Sequence, residues 1–305
     1  SRIFFLNLPG LTNGTVQMGL PVSVEALKPS SFFPLYSIMS VKVHENTIHL
    51  ELHDLVKQEC HKVNDYCMKE IGTHKGGKYT TFWLHKDEKP ETFIEYIVQQ
   101  ISHQDFPNGF PEDYIGMEWW TQIRDTKEDI TFHYDKDEGL CSEKNIYNYP
   151  MKSTVTYLTD IGGPTAIFND EQYNNGYLSF PKVNKHILFD GHLFHGVIGP
   201  LGKEVPSKDN QRITLLINYW TYQPAEPNCI GFPKKDYLLP LEKEHIILQE
   251  SVKKEKSKII KMNYSKGSKE WIIFRTRTRI PIKFAKTLKQ GYTYSFQFLK
   301  DCVVF

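Results

Sequence analysis

Between Gly116 and Trp220 the chain breaks into eight short apolar or alternating runs, and that rhythm limits the folds open to it. The runs are "EWWTQIRD", "ITFHYD", "TVTYLTD", "TAIFND", "GYLSFP", "KHILFD", "HGVIG" and "RITLLINYW". Gly162-Gly163-Pro164, Asn174-Asn175-Gly176 and Asp190-Gly191 supply turns between them. With no helical pattern interrupting them, eight such strands close most simply as a jelly roll, that is, a double-stranded β-helix barrel.

The flanks read differently. Leu52, Leu55, Val56, Cys60, Val63, Cys67 and Ile71 recur at helical spacing and predict one amphipathic helix. "KYTTFWLH" at 78–85 reads as a strand, and "ETFIEYIVQQIS" at 91–102 as a second helix that ends before Pro107 and Gly109. After the barrel, "EKEHIILQESVKKEKSKIIK" is charged and reads as helical. "WIIFRTRTRIPI" alternates Arg275, Arg277 and Arg279 with Thr276 and Thr278, the period of one strand with a basic face. The expectation is therefore an α+β, mainly β chain in three regions. Residues 1–115 form a mixed α/β region packing on the barrel, 116–222 the double-stranded β-helix core, and 223–305 a C-terminal extension of the same domain.

Composition narrows the function classes. Hydrophobic residues make up 40% and charged residues 24% of the 305, enough for a real core. A formal charge of +1 gives no general attraction to nucleic acid or an anionic membrane, so neither is an expected partner. No apolar run approaches the roughly 18 residues of a bilayer span. The five cysteines are scattered and lack a C-x-x-C pair, which argues against a disulfide framework or a thiolate zinc site. Cys60 and Cys67 fall on the helix stripe as buried thiols. Ser1 rather than Met opens the chain, which leaves room for an upstream segment removed together with any targeting signal. A cytoplasmic location is the expectation, and the oligomeric state is left open.

The chemistry centres on "FHYD". On a strand, His133 and Asp135 point to one side and Tyr134 to the other. An imidazole and a carboxylate inside a barrel are either a hydrogen-bonded pair or two metal ligands. Sixty residues further on, "DGHLFHGVIG" offers His195 at the start of another strand, followed by Gly196, which permits close backbone approach. His192, in a loop, and His186, on a strand exterior, are weaker candidates. Two His and one carboxylate cover one face of an octahedral metal and leave positions open for oxygen and a co-substrate. Arg212 opens the last strand and shares its inward face with Thr214 and Asn218. A buried guanidinium needs an anion, either a protein carboxylate or a bound one, and Tyr157 supplies a phenol that can donate to the same group.

Taken in order, "FHYD", "TYLTDIGGPTAIF", "LFDGHLFHGV" and "RITLLINYW" resemble the signature of the 2-oxoglutarate-dependent non-haem iron dioxygenases, closest to the prolyl-hydroxylase-like branch. The resemblance covers roughly residues 116 to 220. It implies Fe(II) held by His133, Asp135 and His195, and 2-oxoglutarate held by Arg212 with Tyr157 and Thr214. With O2, such an enzyme oxidises a C–H bond and releases succinate and CO2, by hydroxylation or by desaturation or oxidative cyclisation. Asp135 argues against halogenation, because halogenating relatives carry a small residue there. The insert "IGPLGKEVPSKDNQ" between His195 and Arg212 is longer than the family's usual hairpin.

Three function classes follow: oxidation of a small molecule or amino-acid derivative, the same chemistry on a protein side chain, or a non-enzymatic cupin-like binding module. Arg212 with Tyr157 speaks against the third. Trp120, Gln122, Thr165 and Asn218 are the expected substrate contacts, Thr165 and Asn218 meeting substrate or co-substrate, with Trp119 or Trp120 in the core. "KDEGLCSEKNIYNYPMKS" is long enough for a lid. The basic strand suits an acidic substrate if it faces the site, and a solvated edge otherwise.

Overall fold

Chain order sets the architecture. β1 (Lys42–Glu45), α1 (His53–Tyr66), β2 (Thr81–His85) and α2 (Phe93–Asp105) come first. The barrel strands follow as β3 (Gly116–Asp125), β4 (Ile130–His133), β5 (Lys152–Tyr157), β6 (Thr165–Phe168), β7 (Asn175–Ser179), β8 (Lys185–Asp190), β9 (Phe194–Val197) and β10 (Gln211–Trp220). A short helix, α3 (Glu138–Lys144), separates β4 from β5. The remainder holds β11 (Cys229–Ile230), α4 (Lys243–Glu250), β12 (Glu255–Lys256), β13 (Ile259–Tyr264), β14 (Trp271–Ile273), β15 (Arg279–Pro281) and β16 (Thr293–Phe298). The computed structural model describes residues 41–71, 80–169, 175–202, 211–225, 229–231, 237–253, 255–264, 271–273, 279–281 and 285–298, all within the unit Ser40–Phe305.

One sheet runs β11-β2-β3-β10-β5-β8-β1-β12 and the other β13-β16-β7-β6-β9-β4. In their centres, β3-β10-β5-β8 and β7-β6-β9-β4, successive strands switch sheets along the chain except at the β6–β7 hairpin, and neighbours pair antiparallel. That is the double-stranded β-helix, and all eight expected strands are in it. The regions before 116 and after 222 extend both sheets, through β1, β2, β11 and β12 on one and β13 and β16 on the other.

Alternation sorts each strand into a core face and an interior face. Outward from β3 and β10, Met117, Trp119, Leu215, Ile217 and Tyr219 pack against Val56, Cys60 and Val63 of α1 and Ile97 and Ile101 of α2. Trp119 is fully buried there, 5.1 Å from the Phe82 ring. The helical stripe buries as spaced, and Cys67 is partly buried against it. The thiol of Cys67 is pushed up to about 11 by burial, consistent with inert packing. Thr92 starts α2 with a capping box, its hydroxyl accepting from Glu95 N while the Glu95 carboxylate accepts from Thr92 N. On the other sheet, Ala166, Phe168 and Leu178 pack under Tyr294 and Phe296 of β16. Among the described residues no helix is long and apolar enough to cross a membrane.

Two expectations for the tail are corrected. The helix over 242–261 stops at Glu250, and β12 and β13 follow. Beyond Val252 a lysine-rich run offers no apolar stripe until Ile259-Ile260, which pair in a strand with β16 instead. The single basic strand is instead two, with Trp271–Ile273 antiparallel to Arg279–Pro281. Arg275 and Arg277 lie outside the described residues.

Behind the central sheet sits a buried polar chain. His186 faces away from the barrel, as expected, but lies sealed under α2, its Nδ1 2.8 Å from Thr156 Oγ1 and its Nε2 3.1 Å from Asp105 Oδ2. Tyr219 OH donates to the same Asp105 oxygen at 2.8 Å. The network is a joint between α2, β5, β8 and β10, with no opening to solvent. Asp105→Ala orphans two buried groups and should cost about 2–5 kcal/mol. Chemical denaturation measures it, and a loss under about 1 kcal/mol would show that the joint is slack.

Lys185 joins the barrel to its C-terminal strand. Its fully buried ammonium donates to Phe180 O, and to Gly291 O and Thr293 Oγ1 at 3.3 Å each. Burial pushes its pKa down to about 7. Between that value and the ordinary pKa near 10.4, the unfolded chain binds a proton that the folded chain releases. The penalty is therefore complete below pH 7 and fades as pH rises. Relative to Lys185→Met, wild type should gain stability from pH 7 to 9.5, read as urea midpoints. A constant difference would rule out a depressed lysine.

Candidate metal centre

The metal-type side chains meet where β4 and β9 pair. His133, the last residue of β4, stands directly opposite His195. Their rings are 4.6 Å apart. Gly196 is needed there: a Cβ on it would come within 2.7 Å of Ile130 O. The strand ends at His133, so Asp135 reaches the site from the irregular stretch that follows and not through the strand alternation expected of it. Its Oδ1 lies 3.5 Å from His133 Nε2 and 3.6 Å from His195 Nε2. The candidate ligand atoms of the three residues all lie within 4.8 Å of one another. Tyr134 turns outward, packing on Phe194 and Tyr149 with ring separations of 4.9 and 5.8 Å.

Both imidazoles are aimed by their own strands. His133 Nδ1 is 2.8 Å from Thr131 O, and His195 Nδ1 is 2.9 Å from Leu193 O. A carbonyl only accepts, so each Nδ1 carries a proton, and Nε2 is the atom on each ring that can offer a lone pair to a metal. Burial alone would raise the pKa of Asp135, but His195 and His133 hold its carboxyl far below the usual range. Burial pulls both histidines toward the neutral form. Asp135 outweighs it at His133, whose pKa is raised, whereas burial prevails at His195, whose pKa is lowered. Of the weaker candidates, His192 is exposed in the turn before β9 and His186 belongs to the buried joint. Neither joins the group.

Register places the other expected residues in rows across the interior. One row reads Gln122, Thr214, Tyr157 and Lys185, the next Trp120, Leu216, Val155 and Ile187, and the third Glu118, Asn218, Ser153 and Phe189. The third row ends at the candidate metal centre, since the Phe189 ring is 5.0 Å from that of His195. The first lies beside Arg212, whose guanidinium is 5.5 Å from the Tyr157 ring. Polar groups at either end are thus separated by an apolar waist.

Arg212 is fully enclosed. Its Nε donates to Gly163 O at 3.2 Å and its Nη2 to Thr165 Oγ1 at 3.1 Å, while Nη1 has no partner. No carboxylate pairs with it among the described residues. Tyr157 OH lies 2.8 Å from Thr165 Oγ1 and 3.0 Å from Ser179 O, and since that carbonyl only accepts, the single phenol proton goes there, so its expected donation to a ligand would require giving up that bond. Thr214 Oγ1 is buried and unpartnered. Thr165, expected to touch substrate or co-substrate, links Arg212 to Tyr157. Gly162-Gly163, read from sequence only as a turn, roofs this arginine: Gly162 sits at φ 95°, and a Cβ there would come within 2.8 Å of the Arg212 stem.

Sequence reasoning passes over one inward carboxylate, Glu118, although its alternation with Trp120 and Gln122 is the signal that finds it. The expected lid segment contains α3, and Asp137 pins it. Its buried carboxylate caps the helix at Leu140 N and accepts from Tyr222 OH and Ala225 N at 3.2 and 3.1 Å. That segment is fastened to the chain beyond β10.

No family model matches the chain, and no curated protein matches it by sequence. Among solved structures, a Pseudomonas putida prolyl-4-hydroxylase aligns at 13% identity with a TM-score of 0.39, over 62% of this chain and 89% of that one. A 2OG-Fe(II) oxygenase family oxidoreductase from Burkholderia pseudomallei aligns at 14% and 0.31, over 48% and 69%. IDO from Bacillus thuringiensis aligns at 15% and 0.37, over 59% and 92%. Likeness this distant carries no argument about activity. The chemistry has to be read from the side chains.

Three convergent ligands with two Nε2 lone pairs fit a divalent first-row metal. At about a hundredfold over its Kd, Mn(II) should stabilise the fold by about 2.7 kcal/mol. His195→Ala should remove that gain, and an equal gain in the variant would place the ion elsewhere.

Proposed function

We propose that the chain is an Fe(II)- and 2-oxoglutarate-dependent dioxygenase that oxidises a C–H bond of a small molecule or amino-acid derivative. The observation that carries the reading is Arg212. A fully buried guanidinium with an unpartnered nitrogen lies across an apolar waist from a His-Asp-His cluster. Leaving a buried charge unpaired is costly, and a bound carboxylate at that spot would offset the cost.

His133, Asp135 and His195 would hold the iron, and Arg212 with Thr214 the far carboxylate of the keto acid. With these bound, the site supplies an oxidation in which 2-oxoglutarate and O2 become succinate and CO2 while one oxygen atom goes to the substrate. The protein's own part is orientation. Thr131 O and Leu193 O keep the Nε2 atoms aimed, and Asp135 would offset part of a bound metal's charge. Thr165 and Gly163 fix the guanidinium fork, and Val155, Ile187 and Leu216 keep water from the stretch between. Asn218, in the row that ends at the metal centre, and Trp120, in the waist, would meet the substrate. Asp137 fastens the segment beside them, which favours a small molecule over a protein chain.

Succinate release from 2-oxoglutarate by iron-loaded protein tests this. Arg212→Met should weaken 2-oxoglutarate binding by tenfold to hundredfold, from the roughly 1.5–3 kcal/mol of a hydrogen bond to a charged group. The ligand-free protein should lose no stability, because an unpaired buried charge is gone. A destabilised variant that still binds 2-oxoglutarate normally would make Arg212 a structural residue and leave a binding module as the better reading.

A further inference from the structure

Glu118 is a buried carboxylate with no cation. It is 9% exposed, and its oxygens accept from Thr81 Oγ1 at 2.5 Å and Trp220 Nε1 at 3.0 Å, with the Asn218 amide also facing it. None of these donors is charged, and no lysine, arginine or histidine pairs with it among the described residues. Burial pushes its pKa up to about 7, and the charge of Asp135 adds to the effect.

Its neighbours in the row are acceptors left open. Asn218, 3% exposed, has an unpartnered Oδ1, and Ser153, 1% exposed, an unpartnered Oγ. The Ser153 hydroxyl also faces the Asp135 carboxyl. Three oxygens from β3, β10 and β5 thus line one row that leads to the candidate metal centre at Phe189 and His195. A group that satisfies them must donate hydrogen bonds, and a positive charge answers the unpaired carboxylate. A carboxylate or phosphate in the same place would meet the Glu118 carboxylate and the open Asn218 carbonyl oxygen, which repel it.

We propose that Glu118, Asn218 and Ser153 form the seat for an ammonium group, so that the molecule presented to the metal is a primary amine. It rests on the oxygenase reading only in calling that amine the substrate. Arg212 then takes the anion at one end of the interior and Glu118 the cation at the other. Two ligands of opposite charge are sorted by the barrel's own rows. The seat makes the amine a recognition handle, and the bond oxidised lies elsewhere in the molecule.

Calorimetric titration of the full chain tests the seat, with and without Zn(II) and 2-oxoglutarate. The probes are the proteinogenic L-amino acids and small alkylamines, each beside its N-acetyl form. At least one free amine should bind tenfold or more tightly than its acetylated partner. Glu118→Gln should weaken that amine at least tenfold, with the thermal midpoint and 2-oxoglutarate binding kept. Equal binding of amine and acetyl forms, or of wild type and variant, overturns the proposal, as does the absence of any amine binding. The wild-type comparison decides by itself if the variant does not fold. Amine discrimination without 2-oxoglutarate binding would keep the seat and remove the oxygenase reading, and the reverse would remove only the seat.

Discussion

Strand register is the constraint on which the interior depends. His133 meets His195 because β4 and β9 pair in one alignment, and Arg212, Thr214 and Asn218 share a face because β10 runs straight for ten residues. A slip of one residue in β10 would carry Leu215, Ile217 and Tyr219 inward and expose the guanidinium to the helices. The outer core forbids that slip. Trp119, Leu215 and Tyr219 are locked against α1 and α2, so the same packing that stabilises the sheet also selects the polar rows.

The interior carries the opposite balance. Arg212 Nη1, Thr214 Oγ1, Asn218 Oδ1 and Ser153 Oγ are buried without partners, and each such atom costs on the order of 1–3 kcal/mol. A core chosen for stability alone would fill these positions with Leu or Val. They sit on one side of one sheet, while two outer clusters hold the fold together. Stability and chemistry are therefore placed on opposite faces of the same strands, which lets one vary with little effect on the other.

Much of this is legible in the sequence because a strand's period of two is a strong signal. The eight strands, the facing pair of His133 and His195 and the inward face of Arg212 all follow from alternation and turn residues. Asp135 arrives by another route, since the strand stops at His133, and a local pattern cannot register that ending. Glu118 escaped because its meaning depends on Ser153 and Asn218, neighbours in register but distant in sequence. The tail misled for a related reason. A lysine-rich run has no face of its own, and its structure is decided by the strands β1 and β16 that it meets.

The carbonyls of Thr131 and Leu193 each fix an imidazole belonging to the same short segment. The aim of both Nε2 atoms is thus set by the backbone and exists before any ion arrives. Such a site has little rearranging left to do, and nothing in three convergent side chains measures the size of what they receive. By ligand type alone it would accept several divalent ions in the order of their intrinsic affinities. Which ion such a group would hold is then decided outside the molecule, by the supply of metals wherever the protein folds.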